Sequence, residues 1–258
     1  MIIPSVVSLI GTLFIGVLLF HLRQRIKENG TADIEADLKP LPQFNTLTNQ
    51  VGRMIESRQP LHISLGRGRL IGPSSPASIA ALNILNHLTE HSKPGHTLPA
   101  VTTGDASLIP AAQDTVRQNF ASIPQVVTGQ LSQHHELATF AADSDYPTAY
   151  AAAITQTIHQ QKTVNNILLG HYGSEIGLMT AAGQQAEIPQ FVATDDPTAL
   201  AIAHAFTQDT LIGEDLLAAT AYLDKEPAHL ASLQVQDYMR WFICALIFIT
   251  ALFKWIVN

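Results

Sequence analysis

Cysteine is nearly absent from this chain, whose one copy, Cys244, lies in an apolar run near the carboxyl end. A single thiol builds neither a disulfide framework nor a thiolate metal site, and Cys244 reads as a small apolar residue of a helix. Basic residues are scarce too. The 14 Lys plus Arg against 21 Asp plus Glu give a formal net charge of -7, which leaves little positive surface for a phosphate backbone, so nucleic acid is not an expected partner. There is no P-loop signature and no G-x-S-x-G elbow, since GHYGSEIG sets Ser174 off that spacing. His87 and His91 lie four apart without the glutamate of an HExxH motif, and His134 and His135 are adjacent, so no metal site is expected. These absences assign no catalytic residue and no cofactor.

What is present begins with two apolar runs, Ile2 to Phe20 and Trp241 to Val257. Runs of about 17 to 20 apolar residues read as membrane-spanning helices. The first has no ionisable side chain and no basic stretch before it, so it reads as a retained anchor rather than a cleaved signal. The second contains only Lys254, near its end, and is bracketed by Trp241 and Trp255. Arg23, Arg25, Lys27 and Arg240 flank the spans on the inner side of the sequence, which predicts a cytoplasmic central domain, both termini outside, and the lipid bilayer of the cell membrane as a partner.

Between the runs the pattern changes. Residues 28 to 42 are polar and contain proline, as a linker does. Phe44, Leu47, Val51, Met54 and Ile55 then repeat at helical spacing. Short apolar runs at 61 to 65, 99 to 103, 137 to 141, 166 to 170 and 190 to 194 read as strands, separated by helical stretches with start signals at Ser75-Pro76, Asp105, Asp145 and Asp196-Pro197. LIGEDLLAATAYL reads as a last helix, and the stretch after Pro227 runs without a breaker into the second apolar run. Such alternation predicts right-handed crossovers and a parallel sheet covered on both faces. The expected fold is α/β, a Rossmann-like doubly wound sheet of about five strands flanked by transmembrane helices. The expected divisions are a transmembrane helix at 1–22, a linker and amphipathic helix at 23–57, the α/β domain at 58–226 and a helix continuing into the second span at 227–258.

In an open parallel sheet the loops after the carboxyl ends of the strands gather along one edge, where ligands bind. Those loops carry Arg67, Arg69, Asp105, Asp145, His171, Tyr172, Glu175 and Asp195. GRGRLIG sets Gly66, Gly68 and Gly72 between a strand and a helix with two arginines suited to phosphate, although the helix starts only near Ser75 and a structural loop explains the glycines equally. Asp105, Asp145 and Asp196 each stand where a helix cap is needed, while Asp195 is freer to face the cleft. His171, in a glycine-flanked loop beside Tyr172 and Glu175, is the histidine placed for acid–base work.

LHISLGRG, VTTGDASLIPAAQ, LLGHYGSE and ATDDPTALAIAHAF followed by LIGEDLLAATAYL resemble an uncharacterised bacterial family of membrane-anchored domains of unknown function, over residues 58 to 224. The resemblance implies domain limits and carries no reaction or ligand. Two readings of function stay open. One is a non-catalytic binding or assembly module at the membrane, which forms a homo-oligomer or recruits other membrane proteins. The other is a sensor or enzyme for a phosphorylated or carboxylated metabolite, held at the rim by Gly66, Arg67, Gly68, Arg69 and Asp105 with His171, Tyr172, Glu175 and Asp195.

Overall fold

The computed structural model describes residues 16, 17, 20, 21, 24, 41–123, 137–161, 163–223 and 227–257. Leu41–Leu223 forms one compact unit, and the second unit joins Met1–Pro40 with Asp224–Asn258.

The first unit opens with α1 (Gln43–Ser57), whose Phe44, Leu47, Val51 and Met54 recur every three or four residues and are buried. It ends at Arg58, whose left-handed backbone lets its amide bond Met54 O and stop the helix. Six strands follow: β1 (His62–Ser64), β2 (Ala100–Thr103), β3 (Thr139–Phe140), β4 (Asn166–Gly170), β5 (Gln190–Thr194) and β6 (Thr210–Leu211). Between and after them run α2 (Ser75–Ser92), α3 (Ile109–Phe120), α4 (Pro147–Gln161), α5 (Ile176–Gln185), α6 (Pro197–Ala203) and α7 (Gly213–Leu223), with short 3-10 turns at Lys93–Gly95 and Ala106–Leu108. The strands pair in parallel in the order β3-β2-β1-β4-β5-β6. This is the order of doubly wound dinucleotide-binding sheets, with its switch point between β1 and β4.

Alternation along the strands sorts side chains to the two faces. Ile63, Val101, Ile167, Leu169 and Phe191 join one core with residues of α1, α2, α3 and α7. Leu168 and Val192 join a second with Tyr150, Ile154 and Met179 of α4 and α5. Truncating a fully buried aromatic such as Phe191 costs about 3–5 kcal/mol. The second face also carries a polar row. His62 Nδ1 donates to Asn166 Oδ1 at 2.7 Å and its Nε2 accepts from Thr102 Oγ1 at 3.0 Å. Asn166 Nδ2 continues the row to Gln190 Oε1, and Gln190 Nε2 donates to Thr180 O. Complete burial pushes the His62 pKa down to about 4, against the raising effect of its bond to Asn166, so the ring is neutral here.

Three expectations need correction. Among the described residues the sheet has six strands rather than about five, because the two-residue β6 lies in a stretch whose apolar spacing reads as helix from its first residue. The two-span reading also fails, since among the described residues no helix is long and apolar enough to cross a membrane. The run from Trp241 is the end of α8 (Pro227–Val257), and the preceding turns hold Gln234, Gln236, Asp237 and Arg240. Seventeen residues rise only about 25 Å, short of a hydrocarbon core of roughly 30 Å, and the polar turns cannot lengthen the run. The third correction follows, because the cell-membrane localisation with a cytoplasmic central domain rested on those two spans. Most of the first run, the Arg23, Arg25 and Lys27 cluster, the linker through Pro40, and His134 with His135 lie outside the described residues.

Candidate functional site

At the switch point the chain leaves β1 and β4 in opposite directions, and two glycines let the exits cross. Gly66 has φ 74°, and a Cβ there would lie 2.7 Å from His171 O. Gly170 has φ 109°, and its Cβ would lie 2.6 Å from Leu65 O. Any other residue at either position meets main-chain atoms that cannot move aside. The crossing is fastened by Arg67 N donating to His171 O at 2.9 Å and Gly104 N donating to Gly66 O at 2.9 Å. Gly68 abuts His171 Cβ and the Ser74 side chain at the start of α2. These glycines therefore bring the β1 and β4 exits together.

The arginines between them are already engaged. Arg67 Nε donates to Glu175 Oε1 at 2.5 Å, and its Nη1 donates to Ser144 O at 2.6 Å. Glu175 Oε1 also accepts from Gly173 N at 2.8 Å, and its side chain is only 3% exposed. Burial alone pushes the Glu175 pKa up, but the Arg67 hydrogen bond and the Gly173 amide hold it below the ordinary carboxylate value. Arg69 donates through Nη2 to Ser144 Oγ and Asp145 Oδ1, both at 3.1 Å, and its Nε lies 3.3 Å from Asp105 Oδ2. Asp105 caps the following 3-10 turn by accepting from Ser107 N at 2.9 Å. The loop holding Ser144 is thus tied to the β1 exit by both guanidinium groups.

Histidine chemistry lies one strand over. His171, leaving β4, places Nδ1 2.8 Å from Asp195 Oδ1, leaving β5. The two side chains are 37% and 29% exposed. The hydrogen bond to Asp195 raises the His171 pKa above its ordinary value, opposed by partial burial. With Nδ1–H committed to the carboxylate, Nε2 is the ring atom left to meet a ligand. Neighbouring Asp196 instead caps α6, accepting from Thr198 N at 2.7 Å and Ala199 N at 3.0 Å, and its pKa is lowered, most by the Ala199 amide.

Tyr172 does not line the rim. It is fully buried, and its hydroxyl donates toward Ser64 O at 3.0 Å and lies 2.9 Å from Ser64 Oγ. Tyr150 OH meets the same Ser64 Oγ at 2.7 Å. Burial raises the pKa of both phenols, so both are neutral pins between β1, β4 and α4.

The sequence-chosen residues therefore separate into three groups: Arg67 with Glu175, Arg69 with Asp105 and Asp145, and His171 with Asp195. His171 and Glu175 have different partners. Sequence reasoning missed Ser144, which both arginines reach, and the buried pair His62 and Ser64. The available signal was LHISL itself, where two polar residues alternate with apolar ones on a strand. Among the described residues no group of three or more His, Cys, Asp or Glu is placed to hold a metal ion. The rings of His87 and His91 lie against each other tilted by 30°, with centroids 4.1 Å apart.

Strand order, the β1/β4 switch point and the clustered strand-end loops define a doubly wound α/β domain. The chain belongs to the family described as Domain of unknown function (DUF6754), whose model matches residues 3–258. Comparison with curated proteins finds no match, and comparison with solved structures finds none.

Proposed function

We propose that this domain is a binding module that takes a small hydroxyl- or carbonyl-bearing molecule at the carboxyl edge of the sheet, with His171 Nε2 as the contact atom. The observation that carries the reading is the His171–Asp195 pair, formed by residues from two successive strand ends beside the switch point and still partly open to solvent. A carboxylate on Nδ1 fixes the ring's orientation and tautomer, as a ligand contact requires.

Charge selects the ligand class. Arg67 is neutralised by Glu175, Arg69 is shared by two carboxylates, and Asp196 adds a further negative charge near His171. An anionic metabolite would meet no unpaired guanidinium at these positions and would be repelled by the surplus carboxylates, which favours a neutral polar ligand over a phosphorylated or carboxylated one.

Thermal-shift measurements on the full chain with panels of sugars and polyols, carboxylates, and nucleotides test this. A ligand at about a hundred times its dissociation constant adds about 2.7 kcal/mol, which in a domain of this size raises the melting temperature by roughly 5–10 °C. The expected result is a rise with a polyhydroxylated compound that is lost in His171→Ala. A rise with nucleotides alone, or one that His171→Ala leaves intact, would overturn the proposal.

A further inference from the structure

We infer that the domain holds a second, internal site at the opposite, amino-terminal edge of the sheet, between α1 and the segment entering β4, and that its occupant is ordered water. All five unpartnered buried side-chain atoms among the described residues belong to α1 or to residues 163–165. Gln50 contributes two of them. The residue is 1% exposed, and neither its amide nitrogen nor its amide oxygen has a protein partner. Its main-chain carbonyl accepts from Asn165 Nδ2 at 2.8 Å, which fixes α1 against the residue preceding β4. Asn165 is itself fully buried with Oδ1 unpartnered, and so is the hydroxyl of buried Thr163.

Three of the five atoms belong to Gln50 and Asn165, which the Asn165 Nδ2 bond joins. A buried polar group without a hydrogen bond costs a sizeable fraction of a domain's net stability, and several together are rarely tolerated dry. Their chemistry also selects the occupant. Gln50 Nε2 can only donate, Gln50 Oε1 and Asn165 Oδ1 can only accept, and Thr163 Oγ1 can do either. Water offers two donors and two acceptors and is the smallest molecule that serves both kinds. A bound cation would satisfy the oxygens and leave the Gln50 nitrogen unpaired.

The site separates helix docking from rim chemistry. Gln50 and Asn165 meet at the amino end of β4 whereas His171 leaves its carboxyl end, so water here acts as a bridge between α1 and β4. It tolerates small shifts of the helix that a direct side-chain bond would not.

The test combines a crystal structure of the full chain with melting of Gln50→Leu, which keeps much of the side chain's bulk and removes its polar atoms. Density for water within hydrogen-bonding distance of the Gln50 amide and Asn165 Oδ1 is expected, together with a melting temperature about 3–6 °C lower in the variant, because the bridge loses its anchor. Thr163→Val, which removes one hydroxyl, is expected to lower it by a smaller step and provides the reading if Gln50→Leu does not fold. An unchanged or higher melting temperature would show dry groups relieved by an apolar substitute, and stabilisation by potassium or sodium over choline would show a cation. Either result overturns the inference.

Discussion

Gly66 and His171 meet main chain to main chain: a Cβ on Gly66 would stand 2.7 Å from the His171 carbonyl oxygen, while the next amide, Arg67 N, donates to that same oxygen at 2.9 Å. The residue that carries the candidate contact atom is thus positioned by a glycine in the loop leaving a different strand, β1. Rim geometry depends on this crossing before it depends on any side chain.

Gly66→Ala is therefore expected to destabilise the domain by about 2 kcal/mol or more, since it adds a left-handed alanine to a main-chain overlap. Denaturant melts would show a lower midpoint at unchanged slope. Gly72→Ala provides the contrast: its φ is also positive, at 130°, but no atom lies within 4 Å of the added carbon, so it should report backbone strain without the overlap.

Glu175→Gln should leave the Arg67 guanidinium enclosed without its counter-charge. The expected loss is about 2–4 kcal/mol, near the cost of breaking a buried pair from one side. Combining it with Arg67→Met should recover part of that loss. A double-mutant cycle that gives simple additivity would show that the two groups do not stabilise one another.

Acid should weaken the fold through His62. His62 has a folded pKa of about 4 and an unfolded value near 6.5, so between those limits the unfolded chain binds the extra proton. Stability then falls as pH drops from about 6.5 to 4, by on the order of 3 kcal/mol in total. His171 has the opposite sign. Its folded pKa is raised, so its contribution is complete below about pH 6.5 and is lost as pH rises through the folded value. Ring-proton NMR titration separates the two, with His62 titrating last on acidification and Asp195→Asn lowering the His171 midpoint.

The sheet's main features were legible because strand and helix periods differ. NILLG and QFVAT are apolar through their middles and buried along their whole length, as strands covered on both faces are, and they coincide with β4 and β5. Asp196-Pro197 marked the start of α6 by a mechanism the structure contains, a carboxylate accepting two first-turn amides. The candidate site was less legible. Nothing in GRGRLIG says that Arg67 meets a glutamate 108 positions away, since pairing of distant loops is decided by the sheet order. Apolar length misled at the carboxyl end, where hydropathy of the Trp241 run had to be weighed with the polar turns before it.

The sheet tapers at its margins. β3 and β6, its outermost strands, have only two residues each, whereas β4 and β5 at its interior have five. A row of unpaired amides and carbonyls is what allows one chain to extend another's sheet, and here that row is too brief on either side to seat an incoming strand. Among the described residues, edge-to-edge pairing of two folded domains therefore has little backbone to work with at either margin.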